Sequence, residues 1–347
     1  MDPVTREGDY VFAVAAAQDS GRVHDTADVA PSFGPIRTVP VGDVVAYVST
    51  YTGPEVEAMP QNELPAFLLS HQSVIEKLMR VTPVLPVRLG TVLSDDEQVA
   101  SALRTSNELL RDSIDAFAGT VEVDVAATWN LPEVLAGVAL EPDVQAAKEA
   151  ASQSSSTSRQ EAMIKVGQLV EARLAALRDQ LESVILERLR PLARDVQLNP
   201  VVSDELVCNV ALLIDKSSAS EIDDSLRELD AELQGKYDFR RVGPLPPYSF
   251  ASVHLHTIGA DDIARALHVL SLAEVGEAGV VDDAFRRLAL SQHPDVKGSD
   301  GGSAHEFEDL VWARNTLLSA LEHRPNDTLP QSIGVSYATV ERSMGRI

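Results

Sequence analysis

The residues able to do chemistry are few, and most are explained by packing. His254 and His256 stand two apart in a strand-like run, so both point to one face, as paired metal ligands do. No cysteine or suitably spaced carboxylate completes a ligand set beside them, so no metal and no other cofactor is expected. Cys208 is the single cysteine. It lies in Leu206-Val207-Cys208-Asn209-Val210, where it reads as a small buried hydrophobe on a strand. One cysteine forms no internal disulfide, so nothing here requires an oxidising compartment. His71 falls on the apolar face of a helical period and reads as a packed core histidine. Arg88 either pairs with a carboxylate in the core or meets a partner. The acidic pairs Asp95-Asp96, Asp223-Asp224 and Asp282-Asp283 fall at or near helix starts, where capping and the helix dipole account for them. No Gly-x-Ser-x-Gly, phosphate-binding loop or Gly-x-Gly-x-x-Gly occurs. The chain is therefore not expected to be an enzyme. What remains is His293-Pro294-Asp295, preceded by Arg286-Arg287 and set between helical patterns.

The elements that must position these residues follow from the apolar pattern. Tyr10 to Ala17 is an unbroken small and apolar run, predicted to be a buried strand. Ile36–Val41 and Val44–Thr50 are predicted strands split by Gly42-Asp43, a hairpin. Leu64, Phe67, Leu68, His71, Ile75 and Leu78 recur at helical steps, predicting a helix over 62–80. Val84–Val87 is a short strand ending in Arg88-Leu89-Gly90-Thr91. One helix is predicted from about Asp95 to Ala118. Val121 to Trp129 alternates as a half-exposed strand should, with Glu122 and Asp124 toward solvent. The order βββαβαβ is an α+β pattern.

Ser154-Ser155-Ser156-Thr157-Ser158 is a flexible linker candidate. Met163, Val166, Val170, Leu174, Leu177, Leu181, Ile185 and Leu189 then mark one face of a helix about 30 residues long, ending near Pro191. It is either a core spine or a stripe offered to a partner. A second α+β unit follows: strand 206–215, helix 220–233, strand 237–242, then the proline-locked turn Gly243-Pro244-Leu245-Pro246-Pro247-Tyr248 before a strand over 249–255. The expected domains are an N-terminal α+β domain over 1–130, a linker over 131–160, a second α+β domain with the long helix over 161–258, a helical segment over 259–323 and a tail over 324–347.

Charge narrows the partners. With 29 basic and 53 acidic side chains the chain carries −24. Phosphate backbones and anionic membrane surfaces are bound by clustered Lys and Arg, so neither nucleic acid nor membrane is an expected partner. The opening Met1–Asp9 is polar and no apolar run approaches membrane-spanning length, so the cytoplasm is the expected location.

Several stretches together resemble the GvpL/GvpF family of gas vesicle proteins. They are Tyr10-Val11-Phe12-Ala13-Val14, the His71 helix leading to Val84-Leu85-Pro86-Val87-Arg88-Leu89-Gly90-Thr91, and Val121-Glu122-Val123-Asp124-Val125 ending at Trp129. The Gly167-Gln168-Leu169-Val170 helix, Leu206–Asp215 and Gly243-Pro244-Leu245-Pro246-Pro247-Tyr248-Ser249-Phe250 follow in order. Leu89 stands where the family usually has Phe. The resemblance implies two α+β domains related to ferredoxin-like folds, with a role in gas vesicle assembly. It also implies binding to the hydrophobic shell protein GvpA and to other gas vesicle proteins, through residues it does not identify. Strand addition and helix-in-groove docking both fit such a role. The ordered series ends near Leu255, so residues 1–258 are expected to fold and bind by themselves.

A second resemblance begins near Ala266. Val269-Leu270-Ser271-Leu272, Ala284-Phe285-Arg286-Arg287-Leu288-Ala289-Leu290, His293-Pro294-Asp295 and the spaced Phe307, Leu310, Ala313 and Leu317 look like a J domain. That module is how co-chaperones engage DnaK-type heat-shock chaperones. It implies a helical hairpin packed through Phe285, Leu288, Phe307 and Leu310, broken at Pro294. His293, Pro294, Asp295, Arg286 and Arg287 would then be the chaperone-contact residues. A general J-protein co-chaperone is the alternative function.

Overall fold

The computed structural model describes residues 5–18, 32–153, 156–292, 303–323 and 334–342. The chain divides into two compact units, Met1–Ala118 with Ala251–Glu341, and Gly119–Phe250 with Arg342–Ile347. Both combine helices with antiparallel sheet, the α+β class expected.

The first unit is built on β1 (Thr5–Ala16), whose run Tyr10–Ala15 is wholly buried. A strand with apolar residues on both faces belongs in the middle of a covered sheet. β2 (Arg37–Val41) and β3 (Val44–Pro54) form the expected hairpin around Gly42, which takes φ +56. β3 pairs antiparallel with one side of β1, and β4 (Val84–Pro86) and β5 (Val92–Leu93) pair with the other. α1 (Leu64–Val81) begins with a proline in its first turn and buries Phe67, His71, Val74, Ile75 and Leu78. α2 (Asp96–Thr105) and α3 (Asn107–Phe117) contribute Val99, Leu103, Leu110 and Ile114 to a core shared with Val11, Val14, Val44 and Val48. The single helix expected over 95–118 is thus two. It breaks at Ser106, whose backbone (φ −114, ψ 23) leaves the helical region.

The second unit starts with β6 (Thr120–Trp129), the strand expected in the N-terminal domain. It lies here because the strands Leu206–Asp215 and Tyr237–Leu245 flank it on both sides. Residues 131–153, expected as linker, form α4 (Leu131–Val138) and α5 (Pro142–Ser152). Both have proline in the first turn, and Asn130 caps α4. α6 (Ser156–Leu189) has 34 residues, about 50 Å of helix. Its first half packs beside α5, burying Val166, Val144 and Ala151. Its second half lays Leu181, Ile185 and Leu189 on the sheet. Each such fully buried side chain contributes about 1.5–3 kcal/mol. β7 (Asp195–Leu198), β8 (Leu206–Asp215), α7 (Ala219–Glu232) and β9 (Tyr237–Leu245) complete the unit, with strand order β7-β8-β6-β9. Ile222, Leu226 and Leu229 of α7 share the core with Val121, Val123 and Val125.

The chain then returns to the first unit as β10 (Ala251–Ile258), α8 (Ala260–Val269), α9 (Ala278–Gln292), α10 (Ser303–Glu322) and β11 (Val335–Arg342). β10 forms a two-stranded sheet with β11 and joins the older core through Ala251 and Val253, as Ala338 does from β11. Part of the expected tail is therefore a strand. The unit expected to close at 258 takes side chains from residues up to Val340. α10 packs against both α8 and α9 around Leu267, Val281, Leu310, Ala313 and Leu317.

Candidate binding surfaces

The motif around Arg88 is held from behind by a buried polar chain. Tyr10 of β1 places its hydroxyl 2.9 Å from His71 Nδ1, and the Gly90 N–H donates to that hydroxyl at 3.2 Å. One hydroxyl thus bridges the His71 ring and the Gly90 backbone. Burial pushes His71 down to about 4 and the Tyr10 phenol well above its ordinary value. Phe12 stacks on His71 with ring centroids 5.7 Å apart, and Phe33, Phe67 and Tyr51 close the aromatic cluster around Tyr10. His71 is the core histidine expected.

The loop this chain supports is tight. Gly90 takes φ +82, and a Cβ there would meet Val56 Cγ2 at 2.9 Å. Thr91 Oγ1 donates to the Arg88 carbonyl at 2.7 Å, while the Arg88 N–H donates to the Val253 carbonyl at 2.9 Å. The Arg88 side chain is exposed beside a hollow of about 300 Å³ that it shares with Glu57 and the Arg6–Glu55 pair. It has no ion-pair partner among the described residues, so the core pairing weighed for it does not occur. Backbone bonds already fasten the loop and leave the guanidinium outside.

The turn 243–250 is fastened from β6. Alternation sends Glu122 to solvent, yet it is 2% exposed. Its two carboxylate oxygens accept from the Ser249 N–H and the Ser249 hydroxyl, both at 2.8 Å. Burial pushes Glu122 up to about 7, outweighing the two Ser249 bonds that favour the charged form, and neighbouring Asp124 adds to the rise. Burial raises Asp124 as well. Gly243 takes φ +127, and a Cβ there would come within 2.8 Å of the Glu122 carbonyl. Arg241 Nη1 donates to the Gly243 carbonyl at 2.9 Å. A raised carboxylate is the usual mark of acid–base chemistry, but Glu122 is 2% exposed and bonded to Ser249, with no open space beside it for a substrate among the pockets described. The arrangement can hold a backbone turn.

In the C-terminal helices, His293, Pro294 and Asp295 lie outside the described residues. Arg286 pairs with Asp283 at 3.1 Å, and Arg287 is exposed on α9 without an ion pair among the described residues. Of the expected packing set Leu310 is buried, Phe285 and Leu288 are half-buried against the same core, and Phe307 is 42% exposed at its edge. Val281 and Ala284 of α9, with Ala313 and Leu317 of α10, complete the seam. Phe285 sits 6.2 Å from Phe307, under Arg314, which pairs with Asp282 at 2.7 Å. Leu290 projects 74% exposed from the last turns of α9.

His254 and His256 do share a face, stacked 6.3 Å apart, but their nitrogens have other partners. His254 Nε2 lies 3.1 Å from Glu341 and His256 Nε2 lies 3.0 Å from Thr339 Oγ1, both on β11. Tyr337 stacks between His256 and His323. Among the described residues no group of three His, Cys, Asp or Glu is arranged to hold a metal ion. Cys208 is buried, and burial pushes its thiol up to about 12, which suits a packed side chain. No helix of the described residues is long and apolar enough to cross a membrane.

Sequence reasoning missed Glu122 and Ser106, whose roles appear only once distant segments are in place. The only sequence signal for Glu122 was a carboxylate in a strand otherwise rich in valine.

The chain matches the family of gas vesicle synthesis proteins GvpL/GvpF over residues 8–252. It is 26% identical over 189 residues to gas vesicle protein F of Dolichospermum flosaquae, covering 54% of this chain and 77% of that one. It is 26% identical over 244 residues to gas vesicle protein F of a Streptomyces strain, covering 70% and 98%. The crystal structure of GvpF from Anabaena superposes with a TM-score of 0.57 at 20% identity, over 70% of this chain and 97% of that one.

Proposed function

The chain belongs to the GvpL/GvpF family of gas vesicle synthesis proteins, and from that premise we propose that it is an assembly factor that binds the shell protein GvpA. The observation that carries this reading is the extent of the family match, residues 8–252. That stretch takes in both fastened motif segments, the Arg88 loop and the 243–250 turn. A shell that excludes water needs subunits with an apolar face, and such subunits aggregate before they assemble. A binder that covers the face, or the free strand edge, holds the subunit until it joins the growing shell. The charge of −24 keeps such a binder dispersed beside a sticky partner. The family is one of gas vesicle synthesis and not an enzyme family. We place its action in the cytoplasm, at the forming vesicle.

Contact with a DnaK-type chaperone is favoured by a separate observation. α9 and α10 pack together with Arg287 exposed on α9, six residues before His293. In this reading Arg286, Arg287, His293, Pro294 and Asp295 meet the chaperone. A general J-protein co-chaperone is the competing function. Affinity capture of the tagged full chain from vesicle-forming cells discriminates them. The shell protein is expected as the main bound species; recovery of varied clients without any gas vesicle protein would favour the co-chaperone.

A further inference from the structure

The second unit carries a groove whose two walls are a helix and a strand edge. α7 presents Leu226 and Asp230, four residues apart and therefore on one face. Opposite them β9 presents Tyr237 and Phe239, two apart and therefore on one face of the sheet. The space between measures about 1010 Å³. β9 pairs with β6 along Tyr237–Val242 and has no strand on its other side among the described residues. In an antiparallel ladder alternate residues aim their N–H and C=O groups away from the partner. The open edge of β9 thus presents backbone donors and acceptors at the rim of the groove.

Charge selects what can lie there. Glu133, Asp230 and Asp238 line the groove, are exposed, and have no ion pair among the described residues. The basic side chains are mostly engaged: Arg227 with Asp224, and Arg241 with Asp223 at 3.5 Å and with the Gly243 carbonyl. Lys236 alone stands against the three unpaired acids among the groove residues described. The open charge is therefore acidic, and the field of the whole chain reinforces it.

We infer that this groove receives an extended segment of a partner protein as a strand added to β9, and that the segment carries Lys or Arg beside alternating apolar residues. Apolar side chains on one face of the segment lie over the half-buried Tyr237 and Phe239, beside Asp230 and Glu133, and cations on its other face meet Asp238. Backbone pairing gives affinity without regard to sequence, and the acids choose among strands. The inference rests on the reading of the chain as a binding protein, and of the two docking modes open to such a protein it selects strand addition.

The test uses the full chain and a fluorescein-labelled ten-residue peptide of alternating valine and threonine with three lysines. Anisotropy should show saturable binding. Asp230→Lys combined with Asp238→Lys should weaken it at least about tenfold, as like charges now face each other. Both positions are exposed, and circular dichroism should show the fold unchanged. The same peptide with alternate backbone nitrogens methylated keeps its charge but cannot pair, and should not bind. Equal binding of the methylated peptide, equal binding by the double variant, or no binding to the wild type would each overturn the inference. The shell protein takes no part in this measurement. Failure here leaves shell binding standing, and failure of shell capture leaves the groove standing.

Discussion

The hydroxyl of Ser106 accepts the Ala338 N–H at 2.8 Å and donates back to the Ala338 carbonyl at 3.0 Å, joining positions 232 apart in the sequence. Ser106 is the residue at which α2 gives way to α3. One side chain thus completes the backbone bonding of β11 at the break between two helices.

Ser106→Ala should therefore leave both Ala338 backbone groups buried and unpaired, costing about 1–3 kcal/mol. Calorimetry should record a lower melting transition for the first unit. A chain cut after residue 258 loses β11 entirely, and is expected to expose Val11 and Val253 and to bind a hydrophobic dye. An unchanged melting curve for Ser106→Ala would show that the strand is held by other means.

Glu122 sets a pH dependence of unusual sign. Its folded value, about 7, lies above the ordinary 4.5. The folded state therefore holds a proton that the unfolded state has released. Its contribution is full below about 4.5 and lost as pH rises through 7. Asp124 is raised too, so the slope belongs to the pair. Glu122→Gln keeps an acceptor for the Ser249 N–H and removes the titration. Urea unfolding at pH 5 and pH 8 should give a smaller difference for the variant, by about 1–3 kcal/mol. Equal differences in the two proteins would remove Glu122 as the cause.

His71 works in the opposite direction. Its folded value, about 4, lies below the ordinary 6.5. Its contribution is present above 6.5 and lost as pH falls toward 4. The imidazole proton resonances of His71 should stay at their neutral position down to about pH 5. Tyr10→Phe keeps the ring but strands the Gly90 N–H and His71 Nδ1, at a cost of about 1–3 kcal/mol. A His71 that titrates near 6.5 would contradict the buried Tyr10–His71 pair.

The chaperone contact is tested by turnover. The full chain should raise the ATPase rate of the host DnaK-type chaperone, and His293→Gln or Arg287→Glu should remove the rise while leaving shell capture intact. Phe285 is only half-buried, so Phe285→Ala should cost less than the roughly 3–5 kcal/mol of a core phenylalanine. Wild-type turnover no faster than the chaperone alone would reduce α9 and α10 to a packing element.

The elements legible in the sequence are those whose pattern is complete within themselves. The buried run of β1, the period of α1 and the valine alternation of β6 each fix a face without help. The break at Ser106 was signalled only by the weak helix formers Thr105-Ser106-Asn107 inside an apolar period that otherwise continues, and the strand that rewards it lies 232 residues away. Glu122 was assigned to solvent because alternation says which side chains share a face, but not which face is covered; the cover comes from Ser249. Ser154–Ser158 suggested a linker by composition, yet α6 already begins at Ser156. The candidate site suffered likewise. The Arg88 and 243–250 motifs were recognisable as segments, while the groove beside β9 arises from α7 and β9 together.

One consequence of the two-unit division concerns the order of events during synthesis. The second unit is drawn almost wholly from the continuous stretch Gly119–Phe250, whereas the first needs both Tyr10 and Ala338. A ribosome therefore delivers everything β6 to β9 require while the first unit still lacks β10 and β11. Until then the first unit waits with part of its core uncovered, since contacts of such long sequence separation close late. Stalled nascent chains ending shortly after Phe250 emerges should already protect 119–250 from protease, with protection of 5–118 arriving only once Ala338 is free. The part of the molecule made first is thus finished last, and its period of vulnerability is set by the time needed to translate the C-terminal helices.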